Sequence, residues 1–188
     1  ALTVQQYQTK ESIEGVQIID QPFHRDDTGN FTELGRINDQ GELETFEDFK
    51  PKQVSLSIML PKVVKAFHIH KKQDDVWYVS PDNRLLAILV DLRENSPTKG
   101  NIMRVILGGG SNSLLRIPAG VAHGAGNPWH TSTKLIYFTT QQFSPESPDE
   151  YRLPWDYFGA DIWRKSRGTK PPLGKWPPAP MLDIRLSY

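Results

Sequence analysis

The chain has 188 residues, 22 basic and 22 acidic side chains, and no cysteine. That length suffices for one substantial core. The balanced charge removes any global pull toward nucleic acid or an anionic membrane, and the lack of thiols excludes disulfides and thiolate metal sites. No apolar run approaches the roughly 18 residues needed to cross a bilayer, and Ala1-Leu2-Thr3-Val4-Gln5 lacks a basic-then-apolar leader pattern. The expectation is a cytoplasmic protein with neither nucleic acid nor membrane as partner, residues 1–188 forming a single domain.

Residues 15–20 read as a short strand, and residues 23–33 as a turn and a second strand, with Gly29 at the turn. Residues 53–60 alternate polar and apolar, the pattern of a half-buried strand. Further strands are expected over 63–70, 76–79, 84–90, 101–107, 113–117 and 134–140, with connections rich in Pro, Gly, Asn and Ser. Many short strands at such spacing predict an all-β sandwich or barrel. No long stretch holds a helical period. Residues 94–98 suit a turn, and residues 151–163 a short helix or irregular segment. Residues 169–188 form a Pro-rich extension with five prolines between 169 and 180, which excludes a central strand or helix interior there. It is expected either to wrap the barrel or a partner subunit, or to be a loose tail.

Three of the five histidines fall in two short motifs, His68-Ile69-His70 and Pro118-Ala119-Gly120-Val121-Ala122-His123. Side chains alternate along a strand, so a spacing of two puts His68 and His70 on one face. The Pro-x-Gly turn leads into a strand that carries His123 inward. The two strands are expected to converge on one pocket, as a proton-transfer or metal-binding cluster, or as core histidines with backbone partners. The tryptophans (77, 129, 155, 163 and 176) suit core or interface positions better than ligand platforms. Lys71-Lys72 and Asp74-Asp75 read as a solvated loop from which Asp75 stands out by its spacing from the histidines.

Pro118-x-Gly120-x-x-His123-x-x-x-Asn127 resembles the second motif of the cupin superfamily, and His68-x-His70-x-x-x-x-Asp75 the first, with Asp in place of the usual Glu. In metal-binding cupins such residues hold one divalent metal ion. That resemblance implies His68, His70, Asp75 (or Asp74) and His123 as ligands, a donor set suited to iron, manganese, nickel or zinc.

A second resemblance is more specific. Residues 90–100 (Val-Asp-Leu-Arg-Glu-Asn-Ser-Pro-Thr-Lys-Gly) and 117–124 (Ile-Pro-Ala-Gly-Val-Ala-His-Gly) are similar to signatures of the dTDP-4-dehydrorhamnose 3,5-epimerase family. Tyr137, Phe143-Ser144-Pro145-Glu146 and Leu153-Pro154-Trp155-Asp156 continue the order, and Asp26 to Glu33 fall at an early family motif. The resemblance covers roughly residues 15–163. It implies a cupin-type jelly roll, a homodimer, no cofactor, and a nucleotide-diphosphate sugar carrying a 4-keto-6-deoxy group as substrate. It makes His68 the base that removes a proton next to the ketone, and Asp156 the carboxylate that orients it. It places Gln53, Ser55, His123 and Tyr137 against the substrate, Lys65 near the pyrophosphate, and Phe31 and Glu33 near the nucleotide base.

The departures matter as much. The family's acid, a tyrosine six residues after the position of Tyr137, is Phe143 here, and the lysine that supports the enolate aligns with Asp75. An arginine of the base motif is Lys65, which keeps charge and loses the bidentate fork. A second arginine is Thr28, and a glutamine after the base is His70. Three readings follow: an epimerase of altered scope, with Tyr78 or a water supplying the missing proton; a metal-dependent cupin enzyme; or a non-catalytic sugar-nucleotide-binding protein.

Overall fold

The computed structural model describes residues 11–165. Its strands are β1 (Gln17–Asp20), β2 (His24–Asp26), β3 (Gly29–Phe31), β4 (Gln53–Met59), β5 (Val64–Ile69), β6 (Asp75–Tyr78), β7 (Arg84–Asp91), β8 (Ile102–Gly108), β9 (Ser113–Ile117), β10 (Val121–Gly126), β11 (Thr133–Thr139) and β12 (Tyr151–Arg152). They form two five-stranded antiparallel sheets, ordered β1-β9-β6-β11-β4 and β12-β5-β10-β7-β8, with β2-β3 as a separate hairpin. This is the expected all-β jelly roll of cupin type. Residues 151–163, expected as a short helix or irregular segment, are irregular up to a 3₁₀ turn over Ala160–Trp163, apart from the two-residue β12 at their start. The Pro-rich extension lies outside the described residues. Among those residues no helix is long and apolar enough to cross a membrane.

Alternation explains how three apolar layers arise from single strands. Met59, Trp77, Leu115 and Leu135 of one sheet meet Leu85, Ala87, Leu89 and Leu107 of the other to fill the space between the sheets. The opposite faces of β5, β7 and β10 (Phe67, Leu86, Ile88, Val90, Ala122) are covered by Phe158, Ile162 and Trp163. Strand β7 is therefore apolar almost throughout, as a strand buried on both faces requires. The outer face of the first sheet is covered at Val76, Tyr78 and Leu114 by Leu43, Phe46 and Phe49. That cover stops short of β4. There Val54, Leu56 and Ile58 point to solvent from a strand at the edge of its sheet.

Two recognised motifs turn out to be one piece of scaffolding. The Asp91 carboxylate accepts hydrogen bonds from Arg93 Nε (2.9 Å), Ser96 Oγ (2.5 Å) and Thr98 Oγ1 (2.6 Å). This fixes Arg93 where a Cβ on Gly120 would come within 2.6 Å of its side chain, and Gly120 has φ of 82°. Glycine satisfies both demands at that turn. The Gly120 N–H in turn donates to the His70 carbonyl (2.7 Å), joining the scaffold to the histidine strand.

Candidate active site

A cavity of about 880 Å³ opens between the sheets, bounded by inward residues of β4, β5, β6, β10 and β11 and by residues 141–151. It lies within the size range of pockets that hold small organic ligands. His68 and His123 are direct cross-strand partners on β5 and β10, so the two histidine motifs do converge. One turn of pairing further on, Lys65 is opposite Ala125, which leaves three steps on β5 against two on β10. This bulge lets Lys65 and His68 both line the cavity despite their odd spacing, while Ala66 and Phe67 pack outward.

The His68 side chain is 29% exposed, and its Nδ1 lies 3.5 Å from Glu150 Oε1. Glu150 is held by Arg152 through Nε (2.7 Å) and Nη2 (2.5 Å). Burial pushes the His68 pKa below its ordinary value, against the opposing charge of Glu150. Burial alone would raise the Glu150 carboxyl, but the hydrogen bond from Arg152 and the nearby His68 hold it below the usual carboxylate range. The result is a neutral imidazole facing a cavity with an ionised carboxylate behind it. Such a group can accept a proton and be stabilised as imidazolium.

Deeper in the cavity are His70, Asp75 and His123, all buried. His123 Nδ1 donates to the Val121 carbonyl (3.0 Å), and His70 Nδ1 to the Asp149 carbonyl. The Asp75 carboxylate accepts from Gln73 Nε2 (2.7 Å) and Trp77 Nε1 (3.1 Å), and lies 3.8 Å from His123 Nε2. The Trp77 ring meets His123 edge-on at 5.4 Å between centroids. Burial depresses the His123 pKa to about 4, against the opposing effect of Asp75, so that ring is neutral near pH 7. One ligand-capable atom from each of His70, Asp75 and His123 lies within 4.8 Å of the other two. His68 is outside that group. Asp74 is outside it as well, because its carboxylate is taken by Arg116 Nη2 (2.9 Å) and the Ala119 N–H (2.9 Å) rather than by solvent.

Other expected residues separate into those on the cavity and those away from it. Gln53, Lys65, His123 and Tyr137 line it. Ser55 does not; its hydroxyl accepts from Gln53 Nε2 (3.0 Å), and Ser57, two residues on, takes the place on the wall and accepts from Lys65 Nζ (2.9 Å). Phe31 and Glu33 are not on this cavity. Phe31 is exposed on the β2-β3 hairpin, stacked on His24, and Glu33 pairs with Arg36 (2.7 Å). Tyr78 is no proton source for the cavity, because it faces the opposite side of β6 and donates to Asn112 Oδ1 (3.0 Å). Phe143 does line the cavity, with its N–H bound to Gln53 Oε1 (2.9 Å).

The expectation for Asp156 is corrected. After β12 the chain leaves the sheet, and a turn carries Phe158, Ile162 and Trp163 onto the outer face, so Asp156 is exposed and away from His68. The carboxylate beside His68 is Glu150, six residues earlier, which sequence reasoning missed. Asp149 was missed as well: its carboxylate accepts from the N–H groups of Lys71 (3.0 Å), Lys72 (2.7 Å) and Gln73 (3.1 Å). The alternation of charge in Glu150-Tyr151-Arg152 was the available signal that a strand places two charges on one face.

Residues 10–165 match the family model described as dTDP-4-dehydrorhamnose 3,5-epimerase. The chain belongs to that family. The spore coat polysaccharide biosynthesis protein SpsL of Bacillus subtilis is 44% identical over 144 residues, covering 77% of this chain and 91% of SpsL. A probable low-salt glycan biosynthesis epimerase of Haloferax volcanii is 30% identical over 146 residues, covering 77% of this chain and 90% of its own length. Among solved structures, the dTDP-6-deoxy-D-glucose-3,5-epimerase of Legionella pneumophila, in complex with dTDP-4-keto-L-rhamnose, superposes with a TM-score of 0.69 at 26% identity. The match covers 86% of this chain and 85% of that one. A dTDP sugar isomerase from Desulfovibrio desulfuricans gives 0.67 at 26% identity, covering 84% of this chain and 94% of its own. Membership in the 3,5-epimerase family and these relatives support a dTDP-sugar epimerase.

Proposed function

We propose that the protein inverts a carbon next to the ketone of a nucleotide-linked 4-keto-6-deoxy sugar, with His68 as the base. The observation that carries this reading is a neutral, half-buried imidazole on the wall of a sugar-sized cavity, backed at 3.5 Å by Glu150. A proton beside a ketone is removable only when the base is unprotonated, close and pre-oriented, and when the imidazolium it becomes is stabilised. Lys65, held by Ser57, offers a point charge toward the diphosphate, while Gln53, His123 and Tyr137 present polar contacts to the sugar. Phe143 has no hydroxyl with which to return a proton, and the phenols on the wall are those of Tyr137 and Tyr151. We infer a scope narrower than double epimerisation, with one carbon inverted.

The test is proton exchange in deuterium oxide with a dTDP-4-keto-6-deoxy sugar, followed by NMR. Deuterium is expected at one carbon adjacent to the ketone. His68→Ala is expected to abolish incorporation while the melting temperature stays near that of the wild type. Undiminished exchange in that variant overturns the assignment of the base, and no exchange in the wild type overturns the reading.

We also propose that the protein works as a homodimer through β4. Val54, Leu56, Ile58 and Leu60 are each more than half exposed, next to a free sheet edge. An uncharged, alternating apolar face beside unpaired backbone groups is self-complementary, and a second copy of the chain covers both liabilities at once.

A further inference from the structure

His70, Asp75 and His123 share a property that the proton-transfer reading does not use. Each imidazole commits its Nδ1–H to a backbone carbonyl, that of Asp149 for His70 and that of Val121 for His123. A neutral ring that donates from Nδ1 has its lone pair on Nε2. The third member is a carboxylate, an acceptor only when ionised. All three are buried, with exposures of 7%, 4% and 4%. One atom of each lies within 4.8 Å of the other two, and His123 Nε2 is 3.8 Å from Asp75 Oδ2. Acceptors facing one another in a site of low dielectric repel unless something positive lies between them.

We propose that His70, Asp75 and His123 bind one divalent transition-metal ion, with the remaining coordination positions open to the cavity. Two imidazoles and one carboxylate form a donor set suited to zinc, manganese, iron or nickel. The surroundings have the second layer that metal-bound histidines ordinarily show, a carbonyl on the far ring nitrogen. Asp75 is likewise oriented from behind by Gln73 and Trp77. Donors about 2.1 Å from a common tetrahedral ion lie about 3.4 Å apart, so His123 and Asp75 at 3.8 Å must close by a few tenths of an ångström, and the widest pair, within 4.8 Å, by up to about 1.4 Å. His68 stays outside the triad, its ring centroid 6.2 Å from that of His123, and is left free for proton transfer. An ion there would supply Lewis acidity for a carbonyl group of a bound ligand. The proposal concerns binding and does not depend on the epimerase reading, so failure of either leaves the other standing.

The experiment uses full-length protein made without a histidine tag, stripped with EDTA and titrated separately with zinc, manganese, nickel and cobalt(II). Calorimetry and elemental analysis after desalting should give one tightly held ion per chain. The melting temperature should rise by about 5 °C or more at a hundredfold excess over Kd. Asp75→Asn and His70→Gln should each lower affinity at least tenfold. The double variant His24→Gln/His130→Gln, which removes the two remaining histidines, should keep the ion. Should the site variants not fold, X-ray absorption of the cobalt-loaded wild type decides: two imidazole nitrogens are expected, and one or none overturns the proposal. It is also overturned if none of the ions binds stoichiometrically, or if Asp75→Asn and His70→Gln fold and retain wild-type affinity.

Discussion

Replacing Glu150 by Gln removes the charge behind His68 while preserving size, and the geometry sets the expected loss. At 3.5 Å, opposite unit charges attract by about 1.2 kcal/mol at a dielectric near 80 and about 4.7 kcal/mol at an effective value near 20. Both side chains are roughly three-quarters covered, with exposures of 29% and 25%, so the site lies between these limits. We take about 2–3 kcal/mol for the attraction to the imidazolium that forms as the proton moves. This attraction is absent while His68 is neutral, so it acts on the transition state, and its loss lowers kcat rather than raising KM. The expected fall in kcat is roughly 30- to 150-fold. The assay is deuterium incorporation under saturating dTDP-4-keto-6-deoxy sugar, with Asp156→Asn in parallel. A Glu150→Gln enzyme within threefold of wild type, or a larger loss in Asp156→Asn, would refute the assignment of Glu150 as the partner of the base.

Asp91→Asn strands Arg93, Ser96 and Thr98 around a buried position. It should cost about 3 kcal/mol, or roughly 6–12 °C in Tm by calorimetry. Although burial alone would raise the Asp91 carboxyl, hydrogen bonds from Arg93, Ser96 and Thr98 hold it well below the usual range. Its folded pKa is thus depressed, so its stabilisation is present above the unfolded value near 4 and is lost as pH falls through the folded one; Tm in acid should therefore fall less steeply in Asp91→Asn than in wild type. Gly124→Ala would set a methyl 2.3 Å from Ala66 Cβ and 2.8 Å from the Trp163 ring. An overpacking cost of about 2 kcal/mol, roughly 4–8 °C in Tm, is expected, and an unchanged Tm would contradict the close packing of β10 under Trp163. Leu56→Glu places a charge in the middle of the apolar face of β4 and should give monomers by light scattering where wild type gives dimers; a monomeric wild type refutes the interface.

The fold was legible because its signals are local. Alternation over 53–59, the Pro118-x-Gly120 turn and the apolar run of β7 each mark a strand without knowledge of its neighbours. The meeting of His68 and His123 followed from strand periodicity together with the order of motifs. What was not legible depends on pairing. Glu150 reaches His68 because β12 adds to the edge of β5, with Arg152 opposite His68, and a two-residue strand leaves almost no periodic trace. Asp156 was favoured by its place in a motif, yet its turn serves the outer layer, where Phe158 and Trp163 are the working residues. Tyr78 and Trp77 are adjacent, and a single step of alternation puts one in the outer cluster and the other against the histidines. No composition argument separates them without the registry of β6.

The dipeptide Asp149-Glu150 has a consequence for control of the site. Its first peptide oxygen accepts from the His70 ring, its first carboxylate ties down the backbone of 71–73, and its second carboxylate faces the His68 imidazole. Two histidines, His68 and His70, thus share one mechanical anchor. A displacement of that anchor by an ångström would shift the partners of both rings together, tying the setting of one imidazole to that of the other.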